Sequence, residues 1–583
     1  VTADSTMFQQ PSFLPMTTSE MDRLGWKELD ILLVTGDTYV DHPAFGSALL
    51  GRYLVAHGYR VGIIAQPRWT DTGDIMRLGR PRLFAGVTSG ALDSMLAHYT
   101  AFRKKRSDDA YTPGGKAGLR PNRAVIVYSN LVKQAFPGLP LVIGGIEASM
   151  RRISHYDFWT DSVRRSVLLD SKADALIYGM AETALLEVAK RLTPQDVPAP
   201  PQRSLGGIRG TVSVAGAGHP ATPPDVTVDA LPSHEDVVSN PQALMQATLQ
   251  VEAQVHEGDT WLTQKNGDRT IVVAPPAIPL AGKELDALFD LPFARSAHPS
   301  YRDPIPALKT IQFTVTTHRG CAGGCTFCSL ALHQGRRIQS RSPGSISRET
   351  AAMVKHRDWH GTIENVGGPT ANMWNAICKG PSPCKRRSCL WPGICRHFHP
   401  AQKELAELLR GIAQVRGVEN VRSASGIRHD LAVLEPAYVD AIVSRFTGGH
   451  LTVAPEHSEA HVLDLMRKPS FTQFEQFHDS FMSLSASRGK KQYLVPYLLT
   501  AFPGCTDTDM RKLAGWFRER HWKPRQVQCF IPTPGTVATA MFWSGKDESG
   551  RKIHVARTDA ERMRQHYILV PTDSNAGSRS QPD

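Results

Sequence analysis

Three cysteines, Cys321, Cys325 and Cys328, lie in His318-Arg319-Gly320-Cys321-Ala322-Gly323-Gly324-Cys325-Thr326-Phe327-Cys328, spaced C-x3-C-x2-C. Cysteine thiolates are the usual ligands of iron–sulfur clusters, and three on one tight loop can hold three irons of a cubane. Gly320, Gly323 and Gly324 let the loop wrap closely and aim backbone N–H groups at the sulfurs. The fourth iron has no protein ligand in this pattern. An open metal position is where a substrate or cosubstrate binds, which separates a catalytic centre from a closed structural one. The spacing differs from the C-x2-C pairs of zinc ribbons and the C-x2-C-x2-C run of ferredoxins. The alternative is three buried or zinc-binding cysteines with the same spacing.

Cys378, Cys384, Cys389 and Cys395 follow, spaced C-x5-C-x4-C-x5-C and interrupted by Pro381, Pro383, Pro392 and Gly393. Such a stretch cannot be a regular helix or strand. Turn-rich chain with four soft ligands can close around a second metal, zinc or an auxiliary cluster. Lys385, Arg386 and Arg387 would offset the thiolate charge or face an anionic substrate. Four free thiols in a substrate loop are the other reading.

Two α/β units are expected to position these residues. Strand patterns at 30–37, 61–65, 124–128, 141–145 and 175–179, with helical periodicity over 44–57, suggest a doubly wound parallel sheet in residues 1–193. The Pro, Ala, Gly and Val composition of 194–232 reads as linker. A helix near 240–257 and a strand at 270–273 complete a linker and insertion over 194–305. A strand at 311–317 then leads directly into the cysteine loop. Further strands are expected near 361–366, 419–425, 451–454, 492–498 and 526–531, with helices between, so 306–545 fits a partial (β/α)6 barrel with its chemistry at the strand ends. Residues 546–583 are expected as an extension with a disordered tail.

Length, charge and cysteine usage set the outer bounds. The chain has 583 residues, a formal net charge of +12 and nine cysteines, none before Cys321 and seven between Cys321 and Cys395. So few cysteines exclude a disulfide scaffold, and their clustering points to metal or redox chemistry in the cytoplasm. No apolar run is long enough to span a membrane, and the N-terminus lacks a signal-peptide pattern. The basic balance leaves nucleic acid open as a partner, so a basic, Cys-rich metal- or iron–sulfur-containing RNA-binding protein without radical catalysis is the second reading. No aromatic-rich basic groove accompanies it.

The cysteine loop and its place after a strand resemble the radical S-adenosylmethionine (SAM) superfamily. The chain as a whole resembles the YgiQ family within it, on LVTGDTYVDHPAFG (33–46), GIIAQP (62–67), GGIEASMRR (144–152), WTDSVRRSVLLDSKAD (159–174), PPAIPL (275–280), GGPTANM (367–373), APEH (454–457) and FPGCTDTDM (502–510). The resemblance implies a 4Fe–4S cluster on Cys321, Cys325 and Cys328 with exchangeable SAM on its fourth iron. It implies reductive cleavage of SAM to start radical chemistry, with electrons from a donor such as flavodoxin or ferredoxin. Phe327 would lie near the adenine. Gly367-Gly368 stand where the superfamily commonly has Gly-Gly-Glu for the methionyl amine, with Pro369 replacing the Glu. Ser425 and Arg428 would serve the ribose hydroxyls and the methionyl carboxylate, and Glu456 and His457 would face the same mouth. The first unit resembles a cobalamin-binding-like domain. A histidine-ligated cobalamin needs Asp-x-His-x-x-Gly, whereas Asp41 and His42 are adjacent and Gly46 follows four residues later, so ligation by histidine is not expected. The polar group His155, Tyr156, Asp157, Asp161, Arg164 and Arg165 is expected either in a substrate cleft or in ion pairs between elements.

Overall fold

The computed structural model describes residues 10–194, 205–216, 222–223, 225–381, 384–423 and 426–570. The first five strands are β1 (Ile31–Thr35), β2 (Val61–Ala65), β3 (Phe84–Thr88), β4 (Leu141–Gly144) and β5 (Ala175–Ile177). All their pairings are parallel, in the order 2-1-3-4-5. Helices cover both faces, so β1 is buried at every position and its sequence, Ile-Leu-Leu-Val-Thr, is nearly continuous in apolar residues. Open sheets of this order bind ligands beyond the C-terminal strand ends, where the order reverses between β1 and β3.

Two expectations are corrected here. Residues 124–128 form no strand but open the helix Ala124–Ala135, which buries Ala124, Val125, Tyr128, Ser129, Leu131 and Val132. That spacing is helical, and five apolar residues alone do not separate the two states. The strand is supplied instead by β3, whose central Gly86 weakens its pattern; a Cβ there would meet Leu33 at 3.0 Å. The second correction concerns the stretch read as linker and insertion, of which the expected helix near 240–257 and strand at 270–273 are present. It supplies β6 (Thr211–Val214), β7 (Val228–Ala230), β8 (Trp261–Asn266) and β9 (Arg269–Val273), which extend the same sheet to nine strands in the order β7-β8-β9-β6-β5-β4-β3-β1-β2. The expected linker residues 195–204, 217–221 and 224 lie outside the described residues.

The helix Pro241–Glu257 joins the two halves. Ala247 and Val251 pack into the core of the sheet, whereas Leu244 and Met245 pack into the core of the second unit, against the helix Val537–Ser544.

The second unit is a series of parallel strands met in chain order. β10 (Thr314–Thr316) pairs with β12 (Asn365–Gly367), and β11 (Thr362–Ile363) pairs with β13 (Asn420–Val421). A bridge from Ile427 to Val453 leads to β14 (His450–Glu456), then β15 (Tyr493–Thr500) and β16 (Gln526–Cys529). The first strand is shorter than expected, because 306–311 are a helix opened by Pro306. The helix Asp559–Leu569 packs against the helix Asp507–Glu519 and β16. The tail 571–583 lies outside the described residues. No helix among the described residues is long and apolar enough to cross a membrane.

Candidate functional site

The cysteine loop leaves the end of β10 and returns into the helix Ser329–Gln334, whose N-cap is Cys328. Backbone contacts clamp it on every side. The Cys321 N–H donates to the Gly335 carbonyl at 3.1 Å and the Cys328 N–H to the Cys325 carbonyl at 3.1 Å. The Thr326 N–H and hydroxyl donate to the Met466 and Leu465 carbonyls at 3.2 and 2.7 Å. Gly320 and Gly324 have φ of +84° and +64°, and a Cβ at either would collide with a carbonyl oxygen, of Arg337 or of Arg387. A Cβ at Gly323 would fall 3.4 Å from the Cys321 Sγ, 3.7 Å from the Cys325 Sγ and 3.3 Å from an Arg428 nitrogen. The missing side chain leaves the Cys321 and Cys325 thiols one shared space.

Without a metal, burial holds the Cys325 and Cys328 thiols protonated, and the cations near Cys325 only partly oppose it. Burial pushes the Cys325 thiol up, while Lys468 and Arg428 pull it back. Burial and the thiols of Cys325 and Cys321 push Cys328 up to about 12. Metal ligation overrides such shifts, because a coordinating thiol is deprotonated outright. Arg428 is buried and gives two of its nitrogens to Asp430, at 2.8 and 2.7 Å. Its third nitrogen points at Cys325, 3.8 Å from the sulfur. The Thr370 hydroxyl lies 3.3 Å from the Cys321 sulfur.

The other residues implied by sequence are only partly gathered here. Gly367 and Gly368 are required by close approach: their Cβ atoms would fall 2.9 Å from the Ala371 Cα and 2.6 Å from the His318 carbonyl oxygen. The Gly367 carbonyl already accepts from the Thr317 N–H at 2.8 Å. Phe327 is half-buried, edge-on to Phe502 at 6.2 Å. Ser425 lies outside the described residues. Glu456 reaches the mouth, ends β14 with φ +68° and sits 3.6 Å from Lys468, whose charge is also felt at Cys325. His457 does not face the mouth. It turns into the wall, where Nδ1 accepts from the Glu459 N–H at 3.0 Å and Nε2 lies 3.4 Å from the buried Cys505 sulfur. Asp430, Lys468 and Thr370 were not singled out from sequence. Thr370 lies inside the GGPTANM phrase, which is the one signal that could have marked it.

A cavity of about 1080 Å³ opens between the C-terminal ends of the sheet strands and this mouth. Its sheet side includes Thr35, Asp37, Thr88 and Gly144-Gly145, and its other side His318 and Gly367-Gly368. Arg319, next to the cysteine loop, crosses to Glu182 at 2.8 Å. Asp37 is buried in the wall. Burial and nearby Asp109 push its carboxyl up to about 6, against the pull of Arg120 at 3.0 Å. His42 does not line the cavity. Its Nδ1 accepts from the Ala44 N–H at 3.0 Å and its Nε2 lies 3.0 Å from an Arg295 nitrogen, so neither ring nitrogen is free for a metal. His155, Tyr156, Asp157, Asp161, Arg164 and Arg165 do not line it either. They form a short hairpin tied by Tyr156–Asp161 at 2.6 Å, Arg123–Asp157 at 3.1 Å and Arg164–Asp170 at 3.0 Å.

All nine cysteines are free thiols. Cys378, Cys384, Cys389 and Cys395 are gathered on one loop: the other three thiols each oppose ionisation of Cys389, which burial already pushes up.

Residues 13–314 match the family described as Radical SAM N-terminal, which covers the nine-stranded sheet and reaches β10. A UPF0313 protein of Geobacter sulfurreducens is 49% identical over 96% of this chain and 92% of its own length. One of Thermotoga neapolitana is 45% identical over 94% of this chain and 96% of its own. Among solved structures, the radical SAM methyltransferase TsrM from Kitasatospora setae, with cobalamin and a [4Fe–4S] cluster bound, superposes with a TM-score of 0.50 over 92% of this chain and 84% of that one, at 13% identity. That likeness is one of fold. The chain therefore belongs to the UPF0313 family, the YgiQ family of radical SAM enzymes.

Proposed function

We propose that Cys321, Cys325 and Cys328 hold a [4Fe–4S] cluster whose fourth iron takes SAM, and that the adjoining cavity holds the substrate. In this reading the sheet is a cobalamin-binding-like domain that includes most of 194–305, and 306–545 is a partial (β/α)6 radical SAM barrel. The carrying observation is the shared space at Gly323, bounded by two thiols and by the Arg428 nitrogen that Asp430 leaves free. When bound, such a cluster supplies the single electron that cleaves the SAM sulfonium.

The chain's own residues bind and orient. The Arg428 nitrogen beside Cys325 suits one oxygen of the methionyl carboxylate, through its charge and a single hydrogen bond. Pro369 brings no carboxylate and the Gly367 carbonyl is taken, so the Gly368 carbonyl is left for the methionyl amine. Phe327 offers an apolar ring to the adenine, and Ser425 is assigned to the ribose hydroxyls by resemblance alone. Asp37, paired with Arg120 and bound by the Ala91 N–H, fixes the polar wall of the cavity on the sheet side. TsrM holds cobalamin; a corrinoid here would have no ligand from His42. The electron donor is a low-potential protein such as flavodoxin or ferredoxin, in the cytoplasm. Nothing at the site favours an RNA-binding protein without catalysis.

The test is anaerobic reconstitution with iron and sulfide, then dithionite and SAM, with 5′-deoxyadenosine quantified. The wild type should form it. Cys321→Ala, Cys325→Ala and Cys328→Ala should each reduce it to background. Undiminished formation by the triple variant sinks the assignment.

A further inference from the structure

The loop that carries Cys378, Cys384, Cys389 and Cys395 has little regular structure to hold it. Among its described residues, one ladder pairs Ile377-Cys378 with Phe398-His399. The Phe398 N–H donates to the Cys395 carbonyl at 2.8 Å, and the Cys395 N–H to the Cys389 carbonyl at 2.7 Å, so one backbone network links three of the cysteines. Gly380 presses against the first: its N–H donates to the Cys378 sulfur at 3.4 Å, and a Cβ would sit 3.4 Å from that sulfur and 3.2 Å from His397. Arg336 is buried with one nitrogen 3.7 Å from the Cys389 sulfur, and its Nε has no partner.

We propose that these four thiols ligate a second [4Fe–4S] cluster, closed by cysteine at every iron and packed against the loop of the first. Three observations support this: charge and contact weigh against four free thiols, and spacing weighs against one zinc ion. The first is charge. Between Glu364 and Glu404 there is no Asp or Glu, while Lys379, Lys385, Arg386, Arg387 and Arg396 all lie there. Glu252 and the Arg387–Glu548 pair offset part of this charge from outside the loop, and an anionic four-thiolate cluster beside Cys389 would offset the rest at the buried Arg336. The second is spacing. Among the described residues, the only three His, Cys, Asp or Glu side chains with ligand atoms all within 4.8 Å of one another are Glu459, His461 and Asp509. Four sulfurs on one zinc, each about 2.3 Å from it, would meet that limit. Sulfurs at the corners of a cubane stand further apart. The third is contact with the first loop. The Cys389 N–H donates to the Ala322 carbonyl at 3.1 Å, the Ser388 hydroxyl donates to the Gly323 carbonyl, and Gly324 is a glycine because the Arg387 carbonyl lies against it. An ordered second loop thus sets the shape of the first.

Iron, acid-labile sulfide and zinc counted per chain on anaerobically reconstituted protein test this, together with EPR of the dithionite-reduced form. The wild type should hold roughly eight irons, two cubanes. The Cys321/Cys325/Cys328→Ala variant should keep roughly four, with a signal that SAM does not move. The Cys378/Cys384/Cys389/Cys395→Ser variant should also keep roughly four, with a signal that SAM does move. If the quadruple change fails to fold, Cys378→Ser, at the exposed position, is made in the triple-variant background and should lower the remaining iron. A folded triple variant with no iron and no sulfide overturns the proposal, as does one zinc per chain without sulfide. Wild-type protein that holds eight irons but cleaves no SAM would instead overturn the radical reading and leave this one intact.

Discussion

Arg428 shows how much one side chain carries. It closes two hydrogen bonds on Asp430 and aims the remaining nitrogen at Cys325, 103 residues away in sequence. Burial alone would raise the Asp430 carboxyl, but the Arg428 guanidinium brings it down to about 2. A carboxyl held below its unfolded value contributes stability above about pH 4 and loses it as pH falls toward 2. Arg428→Gln removes the cation and leaves a buried carboxylate unpaired, at a cost of about 3–5 kcal/mol. Urea unfolding of the apoprotein should show that loss at pH 7. The gap between wild type and variant should narrow on acidification, because protonation of Asp430 relieves the variant and destabilises the wild type. SAM affinity and 5′-deoxyadenosine formation should fall on the order of 100-fold. A gap that stays constant from pH 7 to pH 3 would show that Asp430 is not the group involved.

At the scale of elements, the cysteine loop is held by backbone, not by its own secondary structure. Gly324 combines φ +64° with a carbonyl in the space of its missing side chain. Gly324→Ala therefore adds left-handed strain of about 1 kcal/mol to a clash that only movement of the Arg387 peptide can relieve. Iron loading should drop by half or more with far-ultraviolet circular dichroism unchanged. Gly258→Ala is the control: Gly258 caps the helix Pro241–Glu257 at φ +92° with nothing within 4 Å of its Cβ position. It should cost about 1 kcal/mol and leave iron loading alone. Equal loading of both variants would mean the loop tolerates displacement.

The whole molecule converges on Arg467. Buried at the end of the helix Ala460–Met466, it pairs with Glu252 at 2.6 Å and Glu548 at 2.6 Å, and donates to the Gly324 carbonyl at 3.3 Å. One guanidinium thus ties the joining helix, the C-terminal extension and the cysteine loop together. Arg467→Met leaves Glu252 without its hydrogen-bonded cation while Glu548 keeps Arg387, and the expected loss is about 3–5 kcal/mol with reduced iron loading. Adding Glu252→Gln should recover most of that stability, because Glu548 keeps its pair with Arg387. If the single variant unfolds at the wild-type urea midpoint, the network does not hold the halves together.

Sequence alone determined what is local. The spacing of Cys321, Cys325 and Cys328, the glycines between them and the strand before them sit within a few residues of one another, so their chemistry follows from order along the chain. The parallel strands β1, β2, β4 and β5 were legible because burial on both faces requires continuous apolar runs. Tertiary structure decided the rest. Whether 124–128 is strand or helix depends on what lies beside it, since a five-residue apolar run satisfies both periods. The strands β6 and β7 take their place from the sheet edge they extend, not from their own Pro- and Gly-rich surroundings. His457 and Glu456 are neighbours in sequence, yet one faces Cys505 in the wall and the other Lys468 at the mouth, because the left-handed backbone at Glu456, φ +68°, ends the strand and turns the chain. The cavity, its buried Asp37 and the free arm of Arg428 exist only where segments hundreds of residues apart meet, and no local pattern encodes such a meeting.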